Sequence, residues 1–80
     1  MKIKDAKIGM RIVSNARIHG SEWAGFHGVV EKLSDQYIYV LIDDTPRARH
    51  KYFPNNSLHW SYDPESLDPE VAVFDLPEDV

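Results

Sequence analysis

Between residues 9 and 62 no apolar run is long, and none recurs at helical spacing. That excludes an amphipathic helix from the body of the chain and leaves a succession of short strands. "YIYVLID" (Tyr37–Asp43) is the clearest of them, rich in β-branched and aromatic residues. Ile38, Val40 and Ile42 fall on one face of it, and Tyr37, Tyr39 and Leu41 on the other. "GMRIVS" (Gly9–Ser14) alternates in the same way, with Met10 and Ile12 opposite Arg11 and Val13. "FHGVVEKL" (Phe26–Leu33) reads as a further strand, and "RHKYF" (Arg49–Phe53) and "LHWSY" (Leu58–Tyr62) as two more. The connections agree. "SDQ" is a tight turn, "DDTPRA" is a turn preset by Pro46, and "FPNNSL" is a turn or one turn of 3₁₀ helix. Five strands in about 55 residues are too few for a two-layer sandwich but enough to curl into a small barrel.

Two glycines fit that curvature. Gly28 stands inside a strand pattern, where glycine serves a bend, a bulge or a close backbone approach. Gly25 stands where a loop enters the same strand, a position suited to positive φ. The series "GMRIV", "GFHGVV", "YVLIDD" and "FPNNSL" resembles SH3-like barrels, and within them the KOW-type pattern. Gly9, Gly25, Gly28, Val30 and Asp43 match it, over about residues 5–62. The resemblance implies a five-stranded barrel. It also implies a binding role, because KOW-type domains bind RNA or proteins of transcription and translation. Other SH3-like barrels bind peptides, methylated tails or whole proteins.

Charge divides the chain. Residues 1–62 hold all nine Lys and Arg against six acids, whereas residues 63–80 hold seven acids and no base. The expected organisation is therefore an all-β domain, a single SH3-like barrel over 1–62, followed by an acidic extended tail over 63–80. The tail is punctuated by Asp63-Pro64 and Asp68-Pro69, yet "EVAVFDL" is strand-like. It either docks on the barrel, adding to an edge or packing over Tyr39 and Leu41 and shielding the basic hairpin, or serves as a linear motif for a partner, or is a partly disordered solubilising terminus. The chain has no cysteine, which excludes disulfides and thiolate metal sites. No run reaches membrane-spanning length, and "MKIKDAKIGM" lacks the apolar core of a secretory signal. A cytoplasmic protein without membrane contact is expected, its oligomeric state open.

Catalytic and metal chemistry find no pattern. His19, His27, His50 and His59 follow no ligand spacing. The serines lie in no nucleophile motif, and Asp43-Asp44 reads as a strand end. A non-enzymatic protein without cofactor is the expectation. Two surfaces remain. The loop Asn15–Gly25 is long for so small a domain and carries Ile18 and Trp23. With Trp60 and Tyr62 of the last strand these form a candidate protein-binding patch, unless the tryptophans plug the ends of the barrel. The leading expectation is a protein-binding module, an accessory or regulatory factor of bacterial or phage type by analogy of size and fold. The alternative is a KOW-like nucleic-acid binder. There Arg47, Arg49, His50 and Lys51 would meet phosphate beside Tyr52, with the acidic tail modulating the hairpin.

Overall fold

The computed structural model describes residues 1–49 and 57–70. These form an all-β domain built on one five-stranded antiparallel sheet. The strands are β1 (Arg11–Ser14), β2 (His27–Leu33), β3 (Ile38–Ile42), β4 (His59–Tyr62) and β5 (Leu67–Pro69). Their order across the sheet is β4-β3-β2-β1-β5. The first four form a meander and the last returns to lie beside the first. The sheet is not closed into a barrel. β4 and β5 are its two edges and do not pair with each other.

The alternation read from the sequence decides which face is buried. Ile12 and Ser14 of β1, Val30 of β2, Ile38, Val40 and Ile42 of β3, Tyr62 of β4 and Leu67 of β5 are all buried. They meet Phe26, Ala48, Leu58 and Ala6 in one core. In "GMRIVS" the inward side is Met10, which packs partly buried against the core, then Ile12. Met10 precedes the strand, whose second inward residue is Ser14. Ile42 N donates to Leu58 O, which extends the β3–β4 ladder by one residue.

Two connections differ from the sequence reading. The fifth strand is Leu67–Pro69, drawn from the acidic segment. The expected strand Arg49–Phe53 begins in a turn of helix at 46–49, and its remaining residues lie outside the described ones. That turn has a simple local cause. The Ala48 N–H bonds to Thr45 Oγ1 at 3.1 Å, and Arg49 N donates to Thr45 O at 3.0 Å. Thr45 therefore caps the turn and Pro46 supplies its first position. The turn carries Ala48 into the core at full burial. After β4, a 3₁₀ turn at Pro64–Ser66 redirects the chain, and Ser66 Oγ donates to Asp63 O at 2.7 Å. Met1 N donates to Pro64 O and Leu67 O, at 3.0 and 2.9 Å, along the outer side of β5.

Gly28 answers to close approach. A Cβ there would stand 2.5 Å from Leu41 O and 2.7 Å from Val40 Cγ1 on β3. The bulge in β2 falls later, between Val30 and Lys32, where Glu31 is the extra residue. Gly25 has φ 82°, the left-handed conformation that its place at the strand entry suggested. Substituting Gly28 by Ala forces β2 away from β3. The expected loss is about 1–3 kcal/mol, read as a lowered urea midpoint with an unchanged slope.

Candidate functional site

Two neighbouring regions concentrate the exposed aromatic and charged side chains. One is the loop after β1; the other is a concavity on the β2–β3–β4 side of the sheet.

The loop is fastened at its neck by Ser14. Ser14 Oγ donates to Trp23 O at 2.6 Å and accepts from Phe26 N at 2.9 Å. Its main chain adds Ser14 N to Phe26 O at 2.9 Å and Gly25 N to Ser14 O at 2.8 Å. Arg47 holds the far limb. Its guanidinium lies 4.1 Å from the centre of the Phe26 ring and donates to Ala24 O and Glu22 O, both at 3.0 Å. The other limb is tied to β5 and to the segment before it. Asn15 Nδ2 donates to Glu65 O and Asp68 Oδ2, Arg17 pairs with Asp68, and His19 lies beside Asp63. A 3₁₀ turn at Ser21–Trp23 completes the loop and presents Trp23.

Trp23 stacks on Trp60 of β4, with ring centroids 5.9 Å apart and planes at 21°. Trp60 is 39% exposed, and Ile18 in the same loop is 51% exposed. Tyr62 is different. The register pairs it with Ile38, it is 2% exposed, and it belongs to the core and not to the surface patch. Burial pushes its phenol up to about 12, with the Ser14 hydroxyl and Arg47 acting weakly the other way. The hydroxyl meets no hydrogen-bond partner of normal geometry among the described residues. Tyr62→Phe therefore removes a buried oxygen at little cost. Its stability should stay within about 1 kcal/mol of the parent, whereas Tyr62→Ala should lose about 3–5 kcal/mol, both measured by urea unfolding.

Beside Trp60 the sheet surface sinks into a concavity of about 510 Å³, lined by Glu31, Lys32, Tyr39, His59, Trp60 and Ser61. The bulge explains its wall. It places Glu31 and Lys32 together opposite Tyr39. Glu31 Oε2 lies 2.7 Å from His59 Nδ1, so the pair bridges from β2 to β4 over β3. Lys32 Nζ stands 5.5 Å from the centre of the Tyr39 ring. Sequence reading named only Trp60 here. Tyr39 was legible as an outward residue of β3, but the bulge that gathers Glu31 and Lys32 leaves no mark in a pattern of alternation.

Two of the basic residues singled out in the sequence, Arg47 and Arg49, are committed to local contacts. Arg47 holds the loop as described. Arg49 is paired with both carboxylate oxygens of Asp44, and its hydrogen bonds hold that carboxyl below its ordinary pKa. His50, Lys51 and Tyr52 lie outside the described residues. Among the described residues no group of three or more His, Asp or Glu side chains is arranged to hold a metal ion. No helix among them is long and apolar enough to cross a membrane.

A separate cluster ties the sheet together on its outer face. Arg11 of β1 grips Asp43 bidentately, at 2.8 and 2.6 Å, and also reaches Glu70 at 3.2 Å. Glu70 Oε2 lies 2.7 Å from His27 Nδ1 of β2. The Arg11 guanidinium holds the Asp43 carboxyl below its ordinary pKa of 3.8. A carboxyl depressed in the folded state stabilises it fully above the unfolded pKa, and this contribution fades as pH falls through the folded value. Asp43 is 39% exposed, so solvent discounts the gain to about 1 kcal/mol or less. Asp43→Asn should lower stability by that amount at pH 7. The gap between variant and parent should close as pH falls below 3.8, in urea titrations repeated across pH.

Comparison of the chain with protein-family models, with curated proteins and with solved structures finds no match.

Proposed function

We propose that this chain is a small non-enzymatic protein-binding module of SH3-like type, and that the Trp23–Trp60 stack is the centre of its binding surface. The carrying observation is that two large aromatic rings meet at the surface, Trp23 on a loop held from both sides and Trp60 on β4. Trp60 keeps 39% of its area exposed next to a concavity of about 510 Å³. Exposed aromatics backed by a rigid frame supply binding energy at low entropic cost. Ile18 extends the patch with apolar area, and the Glu31–His59 pair and Lys32 give it a polar rim. The SH3-like reading draws on the strand order. A four-stranded meander with the fifth strand returned beside the first leaves only the β4–β5 seam to close. An accessory or regulatory role follows from size alone and is proposed on that basis.

The nucleic-acid reading has less support. Of the described basic residues that it invoked, Arg47 spends donors on two carbonyls and its face on Phe26, and Arg49 is held by Asp44.

The test is affinity capture from the cells that make the protein, with the full chain and with Trp60→Ala as paired baits. Proteins retained by the parent should bind the variant about 30-fold more weakly, as loss of a central aromatic implies. Retention of nucleic acid by the parent that falls steeply with salt and survives Trp60→Ala would overturn the reading in favour of a phosphate-binding surface.

A further inference from the structure

The two edges of the sheet are not alike. On β5 the outward main-chain groups belong to Leu67 and Pro69, because Asn15 N donates to Ser66 O and Glu70 N to Arg11 O on either side of the pairs these residues make with β1. Leu67 O already accepts from Met1 N, and a proline has no N–H to offer. That edge is blunted. β4 is open. Ile42 N donates to Leu58 O, so Leu41 and His59 form a pair without mutual hydrogen bonds, and the alternation makes Tyr39 and Ser61 another. The N–H and C=O of His59 and Ser61 therefore point away from β3. Among the described residues nothing bonds to them. β4 carries no proline, lysine or bulge that would keep another strand away.

These outward groups are symmetric about Trp60. We propose that β4 pairs antiparallel with β4 of a second copy of the chain, about a two-fold axis beside Trp60, so that the two sheets become one. The inference rests on the reading of Trp60 as part of a binding surface, and it names what that surface binds. His59 stands opposite the partner's Ser61, and Ser61 opposite the partner's His59. Each such pair exchanges two N–H···O bonds, so every outward group is satisfied. Trp60 meets the partner's Trp60 in the close pair between them, with Cα atoms about 4.5 Å apart. That contact covers a side chain left 39% exposed and extends its stack on Trp23.

Charge favours a second copy over an unrelated strand. His59, Trp60 and Ser61 bring no carboxylate or ammonium to the seam. Lys32, Tyr39 and Ser61 lie in one row across the sheet, and that row continues over the seam into the partner's His59. His59 in turn holds Glu31 at 2.7 Å. The Lys32 ammonium stands 5.5 Å from the centre of the Tyr39 ring and forms no ion pair among the described residues. From Tyr39 to the partner's His59 is two inter-strand steps, about 10 Å. Lys32 and the partner's Glu31 lean into that gap from either side, and the two-fold axis makes the contact twice. An unrelated extended segment would find the same hydrogen bonds without this reciprocal charge pair.

Sedimentation of the full chain over a range of concentrations tests the seam. A contact this short holds a weak dimer, half formed at about 10–100 µM. Ser61→Pro removes an outward N–H and spares the β3 ladder, and it should leave a monomer at every concentration while the amide signals of the sheet stay dispersed. Charge exchange reads the same seam through two exposed side chains. At low salt Lys32→Glu alone and Glu31→Lys alone should each dimerise about tenfold more weakly, because like charges then meet twice across the axis. An equimolar mixture of the two variants should associate at least as tightly as the parent. A parent that stays monomeric to about 1 mM would overturn the inference, while any dependence of captured proteins on Trp60 would stand as a separate result. A dimer that a folded Ser61→Pro leaves intact would also overturn it, as would two charge variants that fail to rescue each other, since either result places the contact elsewhere.

Discussion

Ser14 is the residue on which most of the architecture turns. It is the last residue of β1, it points into the core, and it is 4% exposed. A buried hydroxyl must find partners or it costs stability, and this one finds two. It donates to Trp23 O and accepts from Phe26 N, while its main chain bonds Phe26 and Gly25. The four bonds draw the two ends of the long loop to a single point. On its other side Ser14 pairs with Leu67, the first residue of β5. One small polar side chain thus fixes where the loop begins and ends, sets the height of Trp23, and stands at the junction with the returning strand. An alanine there would leave Phe26 N and Trp23 O without this partner, although the apolar core around them would be unchanged.

Charge plays a complementary part on the opposite face. Arg11, His27, Asp43 and Glu70 belong to β1, β2, the end of β3 and the end of β5. None of the individual pairs is buried enough to contribute much by itself. Their joint effect is geometric, since a planar guanidinium gripped by two carboxylates fixes the relative height of three segments. The core side specifies which residues turn inward. The charged side specifies how far each strand is displaced along its neighbours.

The legible part of the fold was its alternation and its glycines. Ile38, Val40 and Ile42 are buried as their spacing implied, and Gly25 and Gly28 serve a left-handed turn and a close strand approach. Three things were not legible. Leu67-Asp68-Pro69 is too short, too acidic and too interrupted by proline to announce a strand, and it is one because Ser14, Val13 and Ile12 offer it an edge. Thr45-Pro46 carries the signature of a capped helical turn, but the same residues also suit a β-turn, and local chemistry does not choose between them. At the site, Trp23 and Trp60 were visible as large apolar residues near a loop, whereas Tyr62 was misplaced. A residue two positions from Trp60 on a strand shares its face, and only the depth of the core distinguishes an exposed edge from a buried interior.

The return of β5 to β1 also has a consequence for how the chain is made. The pairings of β1 with β2, β2 with β3 and β3 with β4 join segments that are neighbours in sequence, and these can form as the chain emerges. The pairing of Ile12, Val13 and Ser14 with residues 67–69 joins positions more than fifty residues apart. Until Pro69 has left the ribosome, β1 presents an open edge with its hydrogen-bonding groups unpaired, a template for another nascent chain. A pause in translation between β4 and β5 would therefore lengthen the interval in which this small protein is most prone to aggregate.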